Sequence, residues 1–239
     1  MQDNRFMNTA AATAAQTDVG LRAYMLGVYN HMTTALLLTG FFAYATKWAV
    51  LNVVGVGQLM YGTPLKWVVM LAPLGMVFWL SARIEKMSAA KARNVFYVYG
   101  AVMGLSLASI LMVYTGASVA RAFFITAGAF AGLSLYGYTT KRSLSAMGSF
   151  MIIGLFGLII ASIVNIFMAS TQLEFVISVV GVLIFAGLTA WDTQRIKSMY
   201  MAGDSSEVAA KKSIFGALTL YLDFINMFLF ILRLFGNRE

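Results

Sequence analysis

The stretch Ile214–Phe235 reads IFGALTLYLDFINMFLFILRLF and sets a single acid, Asp223, inside a run dominated by Leu, Ile and Phe. About 20 apolar residues in a helix cross the roughly 30 Å of hydrocarbon in a bilayer. A carboxyl group there costs on the order of 3 kcal/mol by insertion scales unless it finds a partner or water. Upstream, the apolar run Phe175–Trp191 leads straight into a second such acid, Asp192. The chain's other seven Asp and Glu residues fall in the N-terminal tail, in connecting segments or at the C-terminus. Two acids are therefore placed where only a partner, water or a function explains them.

Further outward, five more apolar runs appear, so the predicted spans are Leu26–Thr46, Trp67–Ala82, Asn94–Tyr114, Arg121–Tyr138, Met147–Met168, Phe175–Trp191 and Ile214–Phe235. The apolar residues are continuous and do not alternate, which excludes a β-barrel. Composition agrees: 60% of the 239 residues are hydrophobic and 11% charged, against about 25% charged in soluble domains. The expected fold is an all-α integral membrane protein with seven transmembrane helices. Residues 1–21 read as a disordered polar tail, and residues 22–239 as one transmembrane domain. The tail lacks a basic region followed by an apolar core and a cleavage site, so no cleaved signal peptide is expected.

Charge sets the orientation. With the N-terminus inside, twelve Lys and Arg residues lie on the cytoplasmic side and five on the other. The positive-inside rule favours this arrangement and leaves the C-terminus outside. The net charge of +8 then reflects topology, and no nucleic-acid partner is expected. There are no cysteines and one histidine, His31, which excludes disulfides, thiol catalysis and a His–Cys metal site. His31 reads as a packed or interfacial residue. Gly100-x-x-x-Gly104 and Gly128-x-x-x-Gly132 read as helix-packing patterns. Asn165 reads as interhelical glue or, less simply, as a pathway ligand.

Asp192 and Asp223 are 31 residues apart on consecutive spans. The polar segment Gly203–Lys212 between those spans is centred where the two acids are centred. An antiparallel hairpin would thus hold both carboxylates at equal depth near mid-membrane, provided the sixth helix continues to about Ala202. Arg195 shares a helix face with Asp192 at i+3, and Asn226 stands at i+3 from Asp223. Two carboxylates held close share a proton and titrate in coupled steps. Protonated, they hold the helices together. Ionised, they repel and can accept a hard cation through oxygen.

The residues around these acids resemble a known family. Trp191-Asp192-Thr193-Gln194-Arg195-Ile196 and Leu218-Thr219-Leu220-Tyr221-Leu222-Asp223-Phe224-Ile225-Asn226-Met227-Phe228 are similar to signatures of the Bax inhibitor-1 (transmembrane Bax inhibitor motif) family. Thr140–Ser145 and the entry segment Leu21–Tyr24 also resemble it. The resemblance implies a bacterial-type member in the inner membrane, with seven helices, the last one central among the other six. It implies that Asp192 and Asp223 form a di-aspartyl pH sensor governing a calcium leak, with Ca²⁺ and protons as the species handled and no tightly bound cofactor. In some members a basic residue at the end of helix 2 meets this pair; here Ser81 stands at its place and Arg83 follows one turn later. The resemblance also implies, as an alternative, a non-catalytic regulator of a membrane-anchored protease or stress response. A third reading, an intramembrane aspartyl protease, would need Gly-x-Gly-Asp at the second acid. The chain has Tyr221-Leu222-Asp223 there, and its only Gly-Asp pair, Gly203-Asp204, lies in the connecting segment. The chain is expected not to be an enzyme.

Overall fold

The structure is a computed structural model that describes the backbone of residues 2–238 and the side chains of residues 18–238. Its helices are α1 Gln2–Asn52, α2 Val56–Tyr61, α3 Leu65–Arg83, α4 Ala89–Val113, α5 Gly116–Thr139, α6 Ser145–Met168, α7 Thr171–Ser198 and α8 Ser206–Phe235. All but the short α2 are long and apolar enough to cross a membrane. The expectation of a disordered tail over 1–21 falls mainly on residues whose side chains lie outside those described. Its last residues, from Asp18 on, are part of the first span, and Leu21 packs against the core.

Side-chain caps set several helix starts more sharply than hydropathy does. Ser88, Thr115, Ser170 and Ser205 each accept a hydrogen bond from the backbone N–H three residues on, satisfying one of the four donors a helix start leaves free. Ser205 corrects an expected boundary: α8 begins at Ser206, so Glu207, Lys211 and Lys212 are helical, not loop. Lys212 is fixed there by Asp204, 2.6 Å away. Glu207 reaches back to accept from the Ala89 N–H at 2.6 Å, tying the start of α8 to the start of α4. At the end of α6, Ala169 takes a left-handed conformation with φ 47°, a geometry that disfavours any residue bearing a Cβ.

α8 is the axis of the bundle. Leu220, Tyr221 and Met227 are fully buried, and the helix packs against α1, α4, α5 and α7. The surrounding helices are not equivalent, however: α3 leans on α4, and α6 leans on α7. α6 is correspondingly the most apolar and least buried span, as a helix that meets lipid over most of its surface must be. Gly100 and Gly104 let α4 approach α1: an added Cβ would stand 2.8 Å from the Ala35 carbonyl oxygen and 2.5 Å from that of Thr39. Gly128 and Gly132 face open space instead, so only the first of the two glycine patterns packs helices.

A buried polar knot locks the axis. The Tyr221 hydroxyl lies 2.7 Å from Thr39 Oγ1. Thr39 in turn faces the carbonyls of Ala35 and Gly100 at 2.9 Å. Thr39 must donate to a carbonyl, so Tyr221 donates to Thr39. One hydrogen-bonded group thereby joins α1, α4 and α8, as low-polarity surroundings demand.

Candidate functional site

The register of the α7–α8 hairpin decides where the two acids meet. Ile196 packs on Gly216, where an added Cβ would stand 2.8 Å from Ile196 Cγ2, and Phe230 packs on Gly181 at 2.7 Å by the same measure. This register places Asp192 level with Thr219–Leu220 and Asp223 about one turn further from the hairpin loop. The expected equal depth is therefore displaced, because α7 stops at Ser198, short of Ala202, and α8 starts early at its Ser205 cap. Asp192 lies six residues from the end of α7, about 9 Å along the axis. Asp223, 17 residues into α8, lies just past the midpoint of that helix.

Asp192 and Asp223 are 5% and 4% exposed, and both line one cavity of about 600 Å³ between α6, α7 and α8. Arg195 and Asn226 line it too. Arg195 Nη1 is 3.7 Å from Asp192 Oδ1, and its guanidinium stacks 5.4 Å over the Trp191 ring. Asp223 Oδ2 is buried without a hydrogen-bond partner. Asn226 donates back to the Leu222 carbonyl at 2.8 Å. Arg83 is exposed in the last turn of α3 and takes no part in the cavity wall. The structure thus gathers four of the five residues singled out from sequence and leaves Arg83 apart.

Two smaller hollows adjoin this one. Beside the α5–α6 connection, a cavity of about 460 Å³ shares Trp191 and Arg195 with it and is walled by Lys141, Arg142 and Gln194. Gln194 pins the α5–α6 connection there, accepting from the Leu144 N–H at 2.8 Å and donating to the Arg142 carbonyl at 2.9 Å. Beside the α6–α7 turn, a cavity of about 360 Å³ shares Ser162 and Ile166 with the central one and holds Asn165, Glu174, Arg233 and Arg238. Glu174 and Arg238 pair across its mouth at 3.5 Å. Asn165 accepts from the Ser170 N–H at 3.1 Å, so its main contact closes the α6–α7 turn. The three hollows follow one seam, bounded by α6 on one side and the α7–α8 pair on the other.

Sequence reading passed over the support behind Asp192. Thr193 is fully buried and bonds to Ser134 at 3.0 Å, and Ser134 bonds to the Tyr29 hydroxyl at 2.6 Å. This chain ties α7 through α5 to α1. The only hint available was Thr189-x-x-x-Thr193, two hydroxyls on one helical face beside the acid. Lys197, by contrast, does as a cation near a membrane boundary should: it donates to the Tyr138 carbonyl at 2.8 Å and lies over the Tyr138 ring. His31 bonds through Nδ1 to the Tyr97 hydroxyl at 2.8 Å, a packed residue.

Known proteins resemble this chain over almost its whole length. The Bax1-I family, described as inhibitor of apoptosis-promoting Bax1, matches residues 21–239. An uncharacterized protein of Rickettsia prowazekii, RP147, is 48% identical over 93% of this chain and 92% of its own length. The inner membrane protein YbhL of Escherichia coli is 46% identical, covering 94% of this chain and 95% of its own. An uncharacterized protein of Caulobacter vibrioides is 47% identical over 93% and 92%.

Proposed function

The chain belongs to the Bax inhibitor-1 family, and on that premise we propose that it is a pH-sensitive cation leak of the bacterial inner membrane, with Ca²⁺ as the ion conducted. The reading rests on one observation above all: two carboxylic acids from different helices are buried on the wall of the same cavity. Asp223 lacks the partner that a purely structural acid would have. The adjoining hollows toward either face support a route along the α6–α7–α8 seam.

In this mechanism the pair Asp192–Asp223 senses protons because two neighbouring carboxylates cannot both ionise without repulsion. Proton loss changes the force between α7 and α8 and supplies negative oxygens to a passing ion. Ca²⁺ takes six to eight oxygen ligands. The pair supplies up to four, and the Thr219 hydroxyl, the Asn226 amide and water supply others. Two carboxylates on one cavity wall suit an ion that passes, and this reading treats Ca²⁺ as the cargo. Arg195 limits the charge of the pair without cancelling it, being half exposed.

The test is Ca²⁺ efflux from liposomes across a pH series for the parent, Asp192→Asn and Asp223→Asn. The parent should leak with a pH-dependent rate, and either variant should lose that dependence. An Asn variant that keeps the parent profile would remove the aspartates from the mechanism.

A further inference from the structure

Another cavity lies away from the two acids. It is a cleft of about 970 Å³ between α1 and α5, with Phe224 of α8 as its floor. The two walls are held apart by what lies between and behind them: α1 packs chiefly on α4 and α8, and α5 on α7 and α8. The cleft therefore opens sideways. Its rims, Leu37 and Phe41 on α1 and Leu135 on α5, are all more than 60% exposed, so they meet lipid. Two of its polar side chains are already used: Tyr29 bonds to Ser134, and Ser134 to Thr193, which leaves the hydroxyls of Thr33 and Tyr138 in the lining. Most of what faces the space is carbon, and a polar solute would find few groups to bind.

One cation stands at the mouth. Arg22 lines the cleft at the cytoplasmic end of the α1 span, and the wall runs from there to Phe41. Those 20 residues rise by about 28 Å, close to the hydrocarbon thickness. Asp18, one turn earlier, lies outside the lining. An apolar trough of bilayer depth, open to lipid and crowned by a guanidinium on the leaflet side, matches one kind of molecule in both shape and charge. We propose that the α1–α5 cleft is a binding site for an anionic phospholipid of the cytoplasmic leaflet, with an acyl chain in the trough and the headgroup phosphate on Arg22.

Gly40 gives a clean way to close the site. It lines the cleft, and an added Cβ there meets nothing within 4 Å, so a side chain can start there, and Gly40→Phe is directed at the space; its unliganded Tm checks that the fold is kept. The experiment measures binding of phosphatidylglycerol and of chain-matched phosphatidylcholine to the purified full chain in detergent. Native mass spectrometry and the lipid-dependent rise in Tm are the readouts, since a ligand that binds only the folded state stabilises it. Phosphatidylglycerol should bind more tightly than phosphatidylcholine. Arg22→Gln should weaken phosphatidylglycerol about fivefold, the usual effect of one basic residue at an anionic membrane surface, and leave phosphatidylcholine unchanged. Gly40→Phe should abolish binding of both, and glycerol phosphate without acyl chains should not bind. Equal binding of the two lipids with no effect of Arg22→Gln, or full binding to Gly40→Phe, overturns the proposal. So does a parent that is dimeric and becomes monomeric on Gly40→Phe, because a second copy would then be the occupant. None of these results depends on ion flux, so they stand apart from the leak reading.

Discussion

Arg195 Nη1 stands 3.7 Å from Asp192 Oδ1 on the same face of α7, while Asp223, on the same cavity wall, has a carboxylate oxygen with no hydrogen-bond partner among the described residues. The two acids are thus unequal: one is partly compensated, the other bare. Replacing Arg195 by Gln should change stability by less than about 1 kcal/mol, as expected of a half-exposed ion pair, yet should move the midpoint of the flux–pH profile. Liposome efflux beside unfolding in mixed micelles separates the two effects. A profile that superimposes on the parent's would mean that the pair does not feel the guanidinium.

Tyr221→Phe removes the donor that ties α8 to Thr39. The loss should be about 1 kcal/mol, typical of a buried hydrogen bond and toward the upper end for interhelical bonds in membranes. Thr39→Val should cost a similar amount, and the double variant less than the sum, because both delete the same bond. Strict additivity in the double-mutant cycle would break the proposed link.

The two glycine patterns should respond oppositely to a methyl group. Gly104→Ala puts a Cβ against the Thr39 carbonyl, a backbone atom that cannot step aside, so α1 and α4 must part at a cost of about 2 kcal/mol or more. Gly132→Ala adds the same group to open space and gains helix propensity, so its stability should hold or rise by up to about 1 kcal/mol. Equal losses at both sites would contradict the packing described.

Ala169→Gly should stabilise the protein by about 1 kcal/mol. Glycine adopts the positive φ of this helix end without the steric penalty that alanine carries. Its Cα hydrogen leaves the Asn165–Ser170 bond intact, so ion flux should not change. A destabilised variant would mean that the Ala169 methyl group contributes packing that outweighs its strain.

Much of this was legible from residues alone, for definite reasons. A bilayer demands about 20 apolar residues per helix, so the seven spans stood out. Asp192 and Asp223 stood out because lipid makes acids costly, and Arg195 followed from helical spacing. Helix ends were less visible, since α7 runs on through Arg195 and Lys197, and α8 begins at a cap where the charge pattern read as loop. Contacts between distant helices left no trace in spacing: nothing along the chain links Tyr221 to Thr39, 182 residues away. Arg83's absence from the cavity wall was hidden for the same reason. Its place at the end of α3 was correct, but which neighbour that end faces is a property of the whole bundle.

Placing the hub in α8 also orders events at the ribosome. Chains emerge N-terminal end first at about 5–20 residues per second, so α1, α4, α5 and α7 enter the membrane before the helix they all pack against exists. Until then Thr39 waits for Tyr221, and Asp192 for the wall that α8 will build around it. A nascent chain stopped short of Ser206 would keep the Thr39–carbonyl bonds but leave Asp192 without that wall, open to lipid. Quality-control proteases should clear such fragments, whereas the finished protein escapes them once its last span arrives.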